Sequence, residues 1–270
     1  RIRNYTDFNA MRGIIMNGEI WLWNLRRMND SQEMQYFIKE LKAEVVRLLS
    51  EKKAEDVSLK VQGYFDENLR DFAKISSYAA CFSEYSDDAA QWARYAKNGM
   101  GVCIAFDASL LSKIGDAGHA PLCKVNYSCA SGDMEIAKEL SDLIFQGCDK
   151  TSDEVRELFS RLISSSPLFK HPSFISEKEY RLVSMPCSTG SCLGQPRFFV
   201  EENNIKKYYA LNLKKVCENL QIDYQELFVQ VCIGPQARVT EDVLADYFES
   251  TGMAALCKKI KVSECPLRRF

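Results

Sequence analysis

Two apolar stretches, Tyr78-Ala-Ala-Cys-Phe-Ser83 and Gly101-Val-Cys-Ile-Ala-Phe106, decide how this chain folds. Each is short and almost continuously apolar, which is typical of a buried strand. The segment between them has Ser86 before two aspartates, carries Trp92 and ends at Asn98-Gly99, which indicates a short helix followed by a turn. The two stretches therefore predict two core strands joined through a helix.

Further strands and helices are indicated on both sides of this block. The predicted strands cover residues 19–23, 78–83, 101–106, 121–127, 179–184, 197–200, 207–213, 227–233 and 259–262. Three predicted helices start at Thr6, Asp30 and Ser86, and a last one covers residues 241–250. Between them, residues 132–164 are predicted to form two helices, of which the second begins with the capping box Thr151-x-x-Glu154. Because strands and helices do not alternate regularly, we expect an α+β fold with a mixed or mostly antiparallel sheet.

Composition limits the class of protein. The chain has 270 residues, 46% hydrophobic and 27% charged, which excludes intrinsic disorder, a collagen-like repeat and a coiled coil. No linker or internal repeat is evident, so we expect a single domain over residues 1–270 with a helical insertion at about 131–166. A formal charge of −2 indicates no general attraction to nucleic acid, although it does not exclude a local basic patch. No run of 18 apolar residues occurs, so we expect no membrane partner.

Cysteine and histidine usage predicts a cytoplasmic protein without a bound metal. Eleven cysteines are scattered without a Cys-x-x-Cys pair, which is typical of free thiols in a reducing compartment. Cys187 and Cys192 are spaced closely enough for a redox pair, which is a less favoured alternative. His119 and His171 are the only histidines, and neither has a second ligand at metal-binding spacing. Any catalysis would therefore depend on carboxylates, hydroxyls and arginines.

The densest group of charges is Ser176-Glu177-Lys-Glu179-Tyr-Arg181, directly before an apolar stretch. On an extended strand, side chains two residues apart point to the same side, so Glu177, Glu179 and Arg181 would share one face. Two interpretations remain open. The carboxylates belong to a site, or the segment is a charged strand edge with an internal Glu179–Arg181 ion pair.

Two further groups allow a ligand-binding and a structural interpretation. Arg1, Arg3, Asn4, Tyr5 and Thr6 precede a helix and could hold a phosphate-bearing ligand, or they are an ordinary helix start with solvated arginines. Trp92 and Tyr95 lie three residues apart on a predicted helix, where aromatic residues belong more often to the core than to a ligand platform.

Taken together, the short motifs of this chain resemble the DUF2971 family, bacterial cytosolic proteins that share a domain of unknown function. The resemblance covers almost the whole chain, and its specificity comes from the order of motifs that are individually weak. The motifs are Asn4-Tyr-Thr, Gly18-Glu-Ile-Trp-Leu, Asn29-Asp30 with Glu33, Cys81-Phe-Ser-Glu, Trp92-Ala-Arg-Tyr95-Ala, Gly101-Val-Cys-Ile-Ala-Phe-Asp107, Glu177-Lys-Glu-Tyr-Arg181, Ile233-Gly-Pro235 and Ser263-Glu-Cys-Pro-Leu-Arg268.

The amino-terminal turn and the late Glu-x-Glu are also similar to the ADP-ribosyltransferase fold. This remoter resemblance implies that NAD is the substrate, that an unidentified macromolecule accepts ADP-ribose, and that the protein acts as a bacterial toxin or anti-phage effector. Relatives commonly carry a basic residue or histidine at the position of Asn4, so Arg3 would have to supply that donor. The implied catalytic residues are Glu179 and Glu177, and the implied NAD-binding residues are Arg3, Asn4, Tyr5, Thr6, Ser83, Tyr95 and Arg181.

The same resemblance assigns a role to individual residues. Glu179 would stabilise the sugar cation, and Glu177 would orient or deprotonate the acceptor. Arg3 and Thr6 would bind pyrophosphate or ribose, Tyr5 would stack on nicotinamide, and Ser83 would support the nicotinamide ribose.

Two other functions remain open at this point. One is a non-catalytic module that senses a nucleotide or binds a partner protein. The other is a metal-dependent nuclease, although helix capping explains its acidic residues equally well. The nuclease would use Asp30, Glu33, Glu84, Asp87 and Asp88.

Overall fold

The computed structural model describes residues 1–25, 33–54, 56–70, 76–128, 135–184 and 193–267, with the backbone alone for residues 33–35. Some predictions fall outside these residues. They are the helix start at Asp30 and the Cys187–Cys192 pair. In the described part, no helix is long and apolar enough to cross a bilayer.

The described chain alternates irregularly between strands and helices. The strands are β1 (Ile2–Thr6), β2 (Glu19–Asn24), β3 (Tyr78–Ser83), β4 (Val102–Phe106), β5 (Leu122–Lys124), β6 (Glu179–Ser184), β7 (Arg197–Glu201), β8 (Asn204–Asn212), β9 (Phe228–Ile233) and β10 (Ile260–Val262). The helices are α1 (Phe8–Ile15), α2 (Glu33–Glu51), α3 (Val57–Asn68), α4 (Ala89–Tyr95), α5 (Ala108–Ala117), α6 (Glu135–Phe145), α7 (Asp153–Ser165), α8 (Leu213–Leu220) and α9 (Glu241–Ser250). Each predicted strand is present, with ends shifted by up to three residues.

The strands form one mixed sheet in the order β10-β9-β4-β1-β3-β2-β8-β7, with β6 also paired to β3 and β5 paired to β6. The described pairings are antiparallel, except that β10 runs parallel to β9. Strand β3 is the branch point, because β1, β2 and β6 all neighbour it. The predicted α+β class with a mixed, mostly antiparallel sheet is therefore confirmed.

The chain divides into two compact units. The first comprises residues 1–23, 78–124 and 176–270 and holds nearly all of the sheet, and the second comprises residues 24–77 and 125–175. The second unit contains α2, α3, α6 and α7, with the Phe37 and Phe169 rings stacked at 3.9 Å. The predicted insertion at 131–166 does contain two helices, α6 and α7, but α2 and α3 from an earlier part of the chain join them. The single domain stays a prediction.

One face of the sheet in the first unit is the main hydrophobic core. Alternate residues of the central strands point into it, among them Ile2, Phe82, Ile104, Leu182 and Val231, each at most 3% exposed. The helices α1, α5 and α9 also contribute to this core. Since alternation sends every second side chain to the opposite face, the register that buries these residues also decides what the other face carries.

Several helix starts differ from the prediction by one or two residues. The capping side chains are Asp7, Asp88 and Ser152 rather than Thr6, Ser86 and Thr151, and each accepts a hydrogen bond from the backbone N–H three residues on. A short polar side chain can cap from any of these neighbouring positions, so the fit of the flanking backbone selects the residue.

The helices α5 and α8 were not predicted. Asp107 begins α5 by accepting hydrogen bonds from the N–H groups of Ser109 and Leu110, each at 2.9 Å. Asn212 begins α8 at the end of β8 by accepting a hydrogen bond from the Lys215 N–H at 2.9 Å. Both helices are short and directly follow a strand. At such a position, the sequence does not show whether an apolar residue continues the strand or begins a helix, so these two helices were missed.

Candidate functional site

The second face of the sheet brings three predicted site residues into one row. Arg3 on β1 lies opposite Ser83 on β3, and Ser83 lies opposite Glu179 on β6. Residues directly opposite each other on neighbouring strands project to the same side, so these three side chains share a face. Arg181, two residues along β6, projects to that face as well. Strand pairing therefore joins three segments that are far apart in the sequence.

Glu179 and Arg181 form a buried ion pair. The Arg181 Nε and Nη2 atoms donate to the two Glu179 carboxylate oxygens at 2.8 and 3.0 Å. The side chains are only 7% and 1% exposed, respectively. This bidentate geometry fixes the carboxylate in one orientation. The structure therefore contains the Glu179–Arg181 ion pair, which was one of the two interpretations that the sequence allowed.

Glu177 reaches the same region by a different route from the one predicted. It ends a short 3₁₀ helix, Pro172–Glu177, and Lys178 after it has a φ of 40°, so Glu177 is not on β6. The prediction that Glu177 and Glu179 share a strand face is therefore wrong. The Ser83 hydroxyl donates to the Glu177 carbonyl oxygen at 2.7 Å, which ties this turn to the end of β3.

The Glu177 carboxylate contacts two side chains of α4. The Tyr95 hydroxyl donates to Glu177 Oε1 at 2.9 Å, and Arg94 Nη1 donates to the same oxygen at 3.2 Å. The Glu177 side chain is 7% exposed, whereas that of Arg94 is 54% exposed. Sequence reasoning missed Arg94, because an arginine on a short helix has the same pattern whether it faces water or a carboxylate.

A third carboxylate, Glu84, directly follows β3. It accepts hydrogen bonds from the Tyr180 hydroxyl at 2.9 Å and the Lys124 ammonium at 3.2 Å, and its carbonyl oxygen accepts one from Arg3 at 2.7 Å. Burial opposes ionisation, but the bonds from Tyr180 and Lys124 outweigh it and lower the pKa of Glu84. Tyr180 and Lys124 lie opposite each other and alternate with Glu179 along the strands, so they hold the Glu84 carboxylate on the core side of the sheet. The polar cluster at the ends of β1, β3 and β6 on the second face therefore contains Glu177 and Glu179, each held by an arginine.

The amino-terminal residues are more deeply packed than a ligand platform would be. The Tyr5 ring is 6% exposed and meets Trp92 edge to face, with ring centroids 4.9 Å apart. Its hydroxyl donates to the Tyr85 carbonyl at 3.1 Å and accepts from the Asp88 N–H at 3.2 Å, and burial raises the Tyr5 pKa. This packing does not support the expectation that Tyr5 stacks on nicotinamide.

Asn4 and Thr6 also lie on β1. The Asn4 side-chain amide donates to the Cys81 carbonyl at 3.0 Å, which ties β1 to β3. Thr6 ends β1 opposite Val102 of β4. Because Asn4 and Thr6 alternate with Arg3 and Tyr5 along the strand, they project from the opposite face to the Arg3–Ser83–Glu179 row.

The acidic residues of the nuclease hypothesis have structural partners where they are described. Asp87 accepts hydrogen bonds from Trp92 Nε1 at 2.7 Å, from the Glu264 N–H at 2.8 Å and from the Ser263 hydroxyl, and Asp88 caps α4. Burial opposes ionisation of Asp87, but these hydrogen bonds lower its pKa. Among the described residues, no group of three His, Cys, Asp or Glu side chains could hold a metal ion. Asp30 and the Glu33 side chain lie outside the description.

A pocket of about 430 Å³ lies within the second unit. Its lining includes the stacked Phe37 and Phe169 rings, Leu41 and Ile136 together with Arg161. Arg161 is paired with Glu139 at 2.7 Å. None of the site residues predicted from the sequence lines this pocket.

Comparison with known proteins gives one partial match, to a family of unknown function. No curated protein and no solved structure matches the chain. Residues 91–182 match the model of a family described as a protein of unknown function, DUF2971. The matched segment runs from α4 through β6 and includes Tyr95, Glu177, Glu179 and Arg181. The match covers 92 of the 270 residues, so this segment is similar to the DUF2971 family, in agreement with part of the resemblance expected from the sequence motifs.

Proposed function

We propose that the polar cluster at the ends of β1, β3 and β6 binds NAD or a related nucleotide and cleaves its nicotinamide–ribose bond, as an ADP-ribosyltransferase or an NAD glycohydrolase does. One observation carries this proposal. Arg3, Ser83 and Glu179 come from three distant segments and occupy one row across the sheet, and the Ser83 hydroxyl bonds the Glu177 carbonyl oxygen.

The chemistry requires a fixed carboxylate beside the sugar. Cleavage of the nicotinamide–ribose bond develops an oxocarbenium-like cation, which a nearby carboxylate stabilises without a metal or histidine. We assign this role to Glu177, because its partners Tyr95 and Arg94 are 38% and 54% exposed and so lie at the surface, whereas Arg181, the partner of Glu179, is 1% exposed. Glu179 is already neutralised by Arg181, and this pair acts as the rigid support of the site.

Positive charge for a pyrophosphate is available beside this carboxylate. The Arg94 side chain is 54% exposed and contacts the Glu177 carboxylate. An arginine in this position can bind phosphate oxygens without moving the buried Arg181. If the protein is a transferase, the same proposal includes a macromolecule that accepts the ADP-ribose group.

The experiment is to incubate the full chain with NAD and to follow nicotinamide release by chromatography. We expect release by the native chain and a loss of about 100-fold or more in Glu177→Gln, as is typical when a group that stabilises transition-state charge is removed. The matched control is Glu218→Gln, which makes the same change on the exposed surface of α8 and should leave the rate unchanged. An unchanged rate in Glu177→Gln would refute the catalytic role of Glu177. No nicotinamide release by the native chain would refute the proposed enzymatic activity.

A second candidate is a non-catalytic nucleotide sensor, favoured by the neutralisation of Glu179 by Arg181. A ligand that binds the native state alone stabilises it by RT ln(1 + L/Kd), where L is the free ligand concentration, so the unfolding temperature rises with the logarithm of that concentration once the ligand exceeds its dissociation constant. A thermal shift with NAD, together with no nicotinamide release, would favour sensing over turnover. If NAD causes neither a thermal shift nor nicotinamide release, the proposal that this cluster binds NAD is wrong.

A further inference from the structure

Strand β7 is an exposed, apolar sheet edge. It is the last strand in the sheet order and is joined to β8 in a hairpin, and in the described part of the chain its other edge has no paired strand. All five of its residues are exposed, with Phe198 at 60% and Val200 at 70%. Natural proteins usually protect such an edge with proline, inward charges or a covering element. An apolar Phe-Phe-Val edge is therefore suited to pairing with another strand.

The hairpin register determines which backbone groups the free edge offers. The turn has two residues, 202 and 203, and Glu201 lies opposite Asn204. The pair that flanks a two-residue turn exchanges hydrogen bonds, and hydrogen-bonded and non-hydrogen-bonded pairs then alternate along the ladder. Arg197, Phe199 and Glu201 therefore bond to β8. The N–H and C=O groups of Phe198 and Val200 point to the free edge.

The sequence of β7, Arg-Phe-Phe-Val-Glu, is complementary to itself in the antiparallel direction. When two copies pair about a two-fold axis at Phe199, Phe198 of each lies opposite Val200 of the other, and these are the residues with free backbone groups. The same register places Arg197 opposite Glu201 of the second copy at both ends. A shift by two residues would place one of these charges opposite Phe199 instead.

Both faces of such a pairing are apolar in the middle. On one face, Phe199 adjoins an aromatic cluster of Trp21, Trp23 and Tyr208, in which the Trp21 and Tyr208 rings stack at 4.3 Å. On the other face, Phe198 and Val200 adjoin Ile205, which is 61% exposed.

The charged groups are already held at the two ends of the strand. Arg197 contacts Glu19 at 2.9 Å, and Glu201 contacts Lys206 at 2.8 Å. Since these four residues share the face of the aromatic cluster, a second copy would meet a charge at each end of the apolar centre. This charge complementarity is what selects a second copy over another extended peptide.

We propose that β7 is a homodimer surface, at which two copies of this chain join their sheets edge to edge through antiparallel β7 strands centred on Phe199. Such an interface is isologous, with the same patch on both subunits. It buries one short strand per subunit, so it belongs to the small, weak class of interfaces and depends on protein concentration.

The first test is sedimentation of the full chain over a concentration series, comparing native protein with Val200→Pro. The Val200 N–H points away from β8, so proline removes interface hydrogen bonds and leaves the hairpin ladder intact. We expect a concentration-dependent dimer for the native chain and a monomer for Val200→Pro, with Val200→Thr, which keeps the N–H, still dimeric. A native chain that stays monomeric, or a Val200→Pro variant that dimerises like the native chain, overturns the proposal.

The second test identifies the register. R197E and E201R each turn the two symmetric attractive pairs into repulsive pairs, so each alone should dimerise about tenfold more weakly. In an equimolar mixture, position 197 of each variant meets an opposite charge at position 201 of the other, and a heterodimer should recover the native strength. The control E218R changes a charge on exposed α8 and should dimerise normally, while circular dichroism confirms that every variant is folded. If the mixture stays as weak as the single variants, this register is wrong.

Discussion

Replacing Arg181 by methionine tests the ion pair at the centre of the candidate site. The pair is bidentate, at 2.8 and 3.0 Å, and both side chains are at most 7% exposed. Removing the arginine breaks a buried ion pair and takes away the cation that Glu179 contacts at two points, so we expect a loss of about 3–5 kcal/mol in the free energy of unfolding. Arg197→Met is the matched control. Arg197 and Glu19 are 2.9 Å apart, but their side chains are 52% and 20% exposed, and the expected loss is below about 1 kcal/mol.

The assay is urea unfolding followed by circular dichroism, with the free energy taken from the midpoint and slope of each transition. The double variant Arg181→Met/Glu179→Gln removes the charge as well, so it should recover a large part of the stability that Arg181→Met loses. A loss in Arg181→Met no larger than that in Arg197→Met would refute the reasoning. A double variant no more stable than the single one would do the same.

Two further predictions concern backbone packing and acid stability. A Cβ on Gly101 would lie 2.1 Å from the Thr6 carbonyl oxygen, so Gly101→Ala should lower the free energy of unfolding by about 1–3 kcal/mol or more. In α1, a Cβ on Gly13 would meet nothing within 4 Å, so Gly13→Ala should raise the free energy of unfolding by about 0.5–1 kcal/mol. Urea unfolding measures both variants, and equal effects would contradict the prediction. The pKa of Asp87 is lowered in the folded state, so its contribution to stability is complete above its unfolded pKa and is lost as pH falls through the folded value. Asp87→Asn should therefore flatten the fall in unfolding temperature below about pH 4, and an unchanged acid slope would show that the hydrogen bonds to Asp87 do not favour its charged form.

Much of the secondary structure could be predicted because its elements bury apolar residues at a regular period. The strand at 179–184 and the helix at 241–250 were predicted with the bounds that the structure has. The helix α5 was missed because its own sequence is a weak signal, with two serines and Gly115. Packing decides it, since Leu111 and Ile114 are fully buried and a Cβ on Gly115 would lie 2.6 Å from the Ala120 carbonyl oxygen.

The candidate site was predicted in part. Arg3, Ser83 and Glu179 do come together, but the argument from alternation failed for Glu177, because Lys178 leaves the extended conformation. Tyr5 was assigned to nicotinamide by the resemblance to the ADP-ribosyltransferase fold. In the structure, its ring packs on Trp92, a contact that residue type and spacing do not reveal.

The amino-acid pattern alone establishes the α+β class, the position of most strands and the presence of carboxylate and arginine groups next to them, because these depend on local periodicity and composition. The row across β1, β3 and β6 depends on which strands pair and in what register, and long-range burial sets both. The Glu179–Arg181 pair lies within one strand, so its two-residue spacing was already visible in the sequence. The contact between Arg94 and Glu177 was not, because it forms only when folding brings α4 and the turn before β6 to the end of β3.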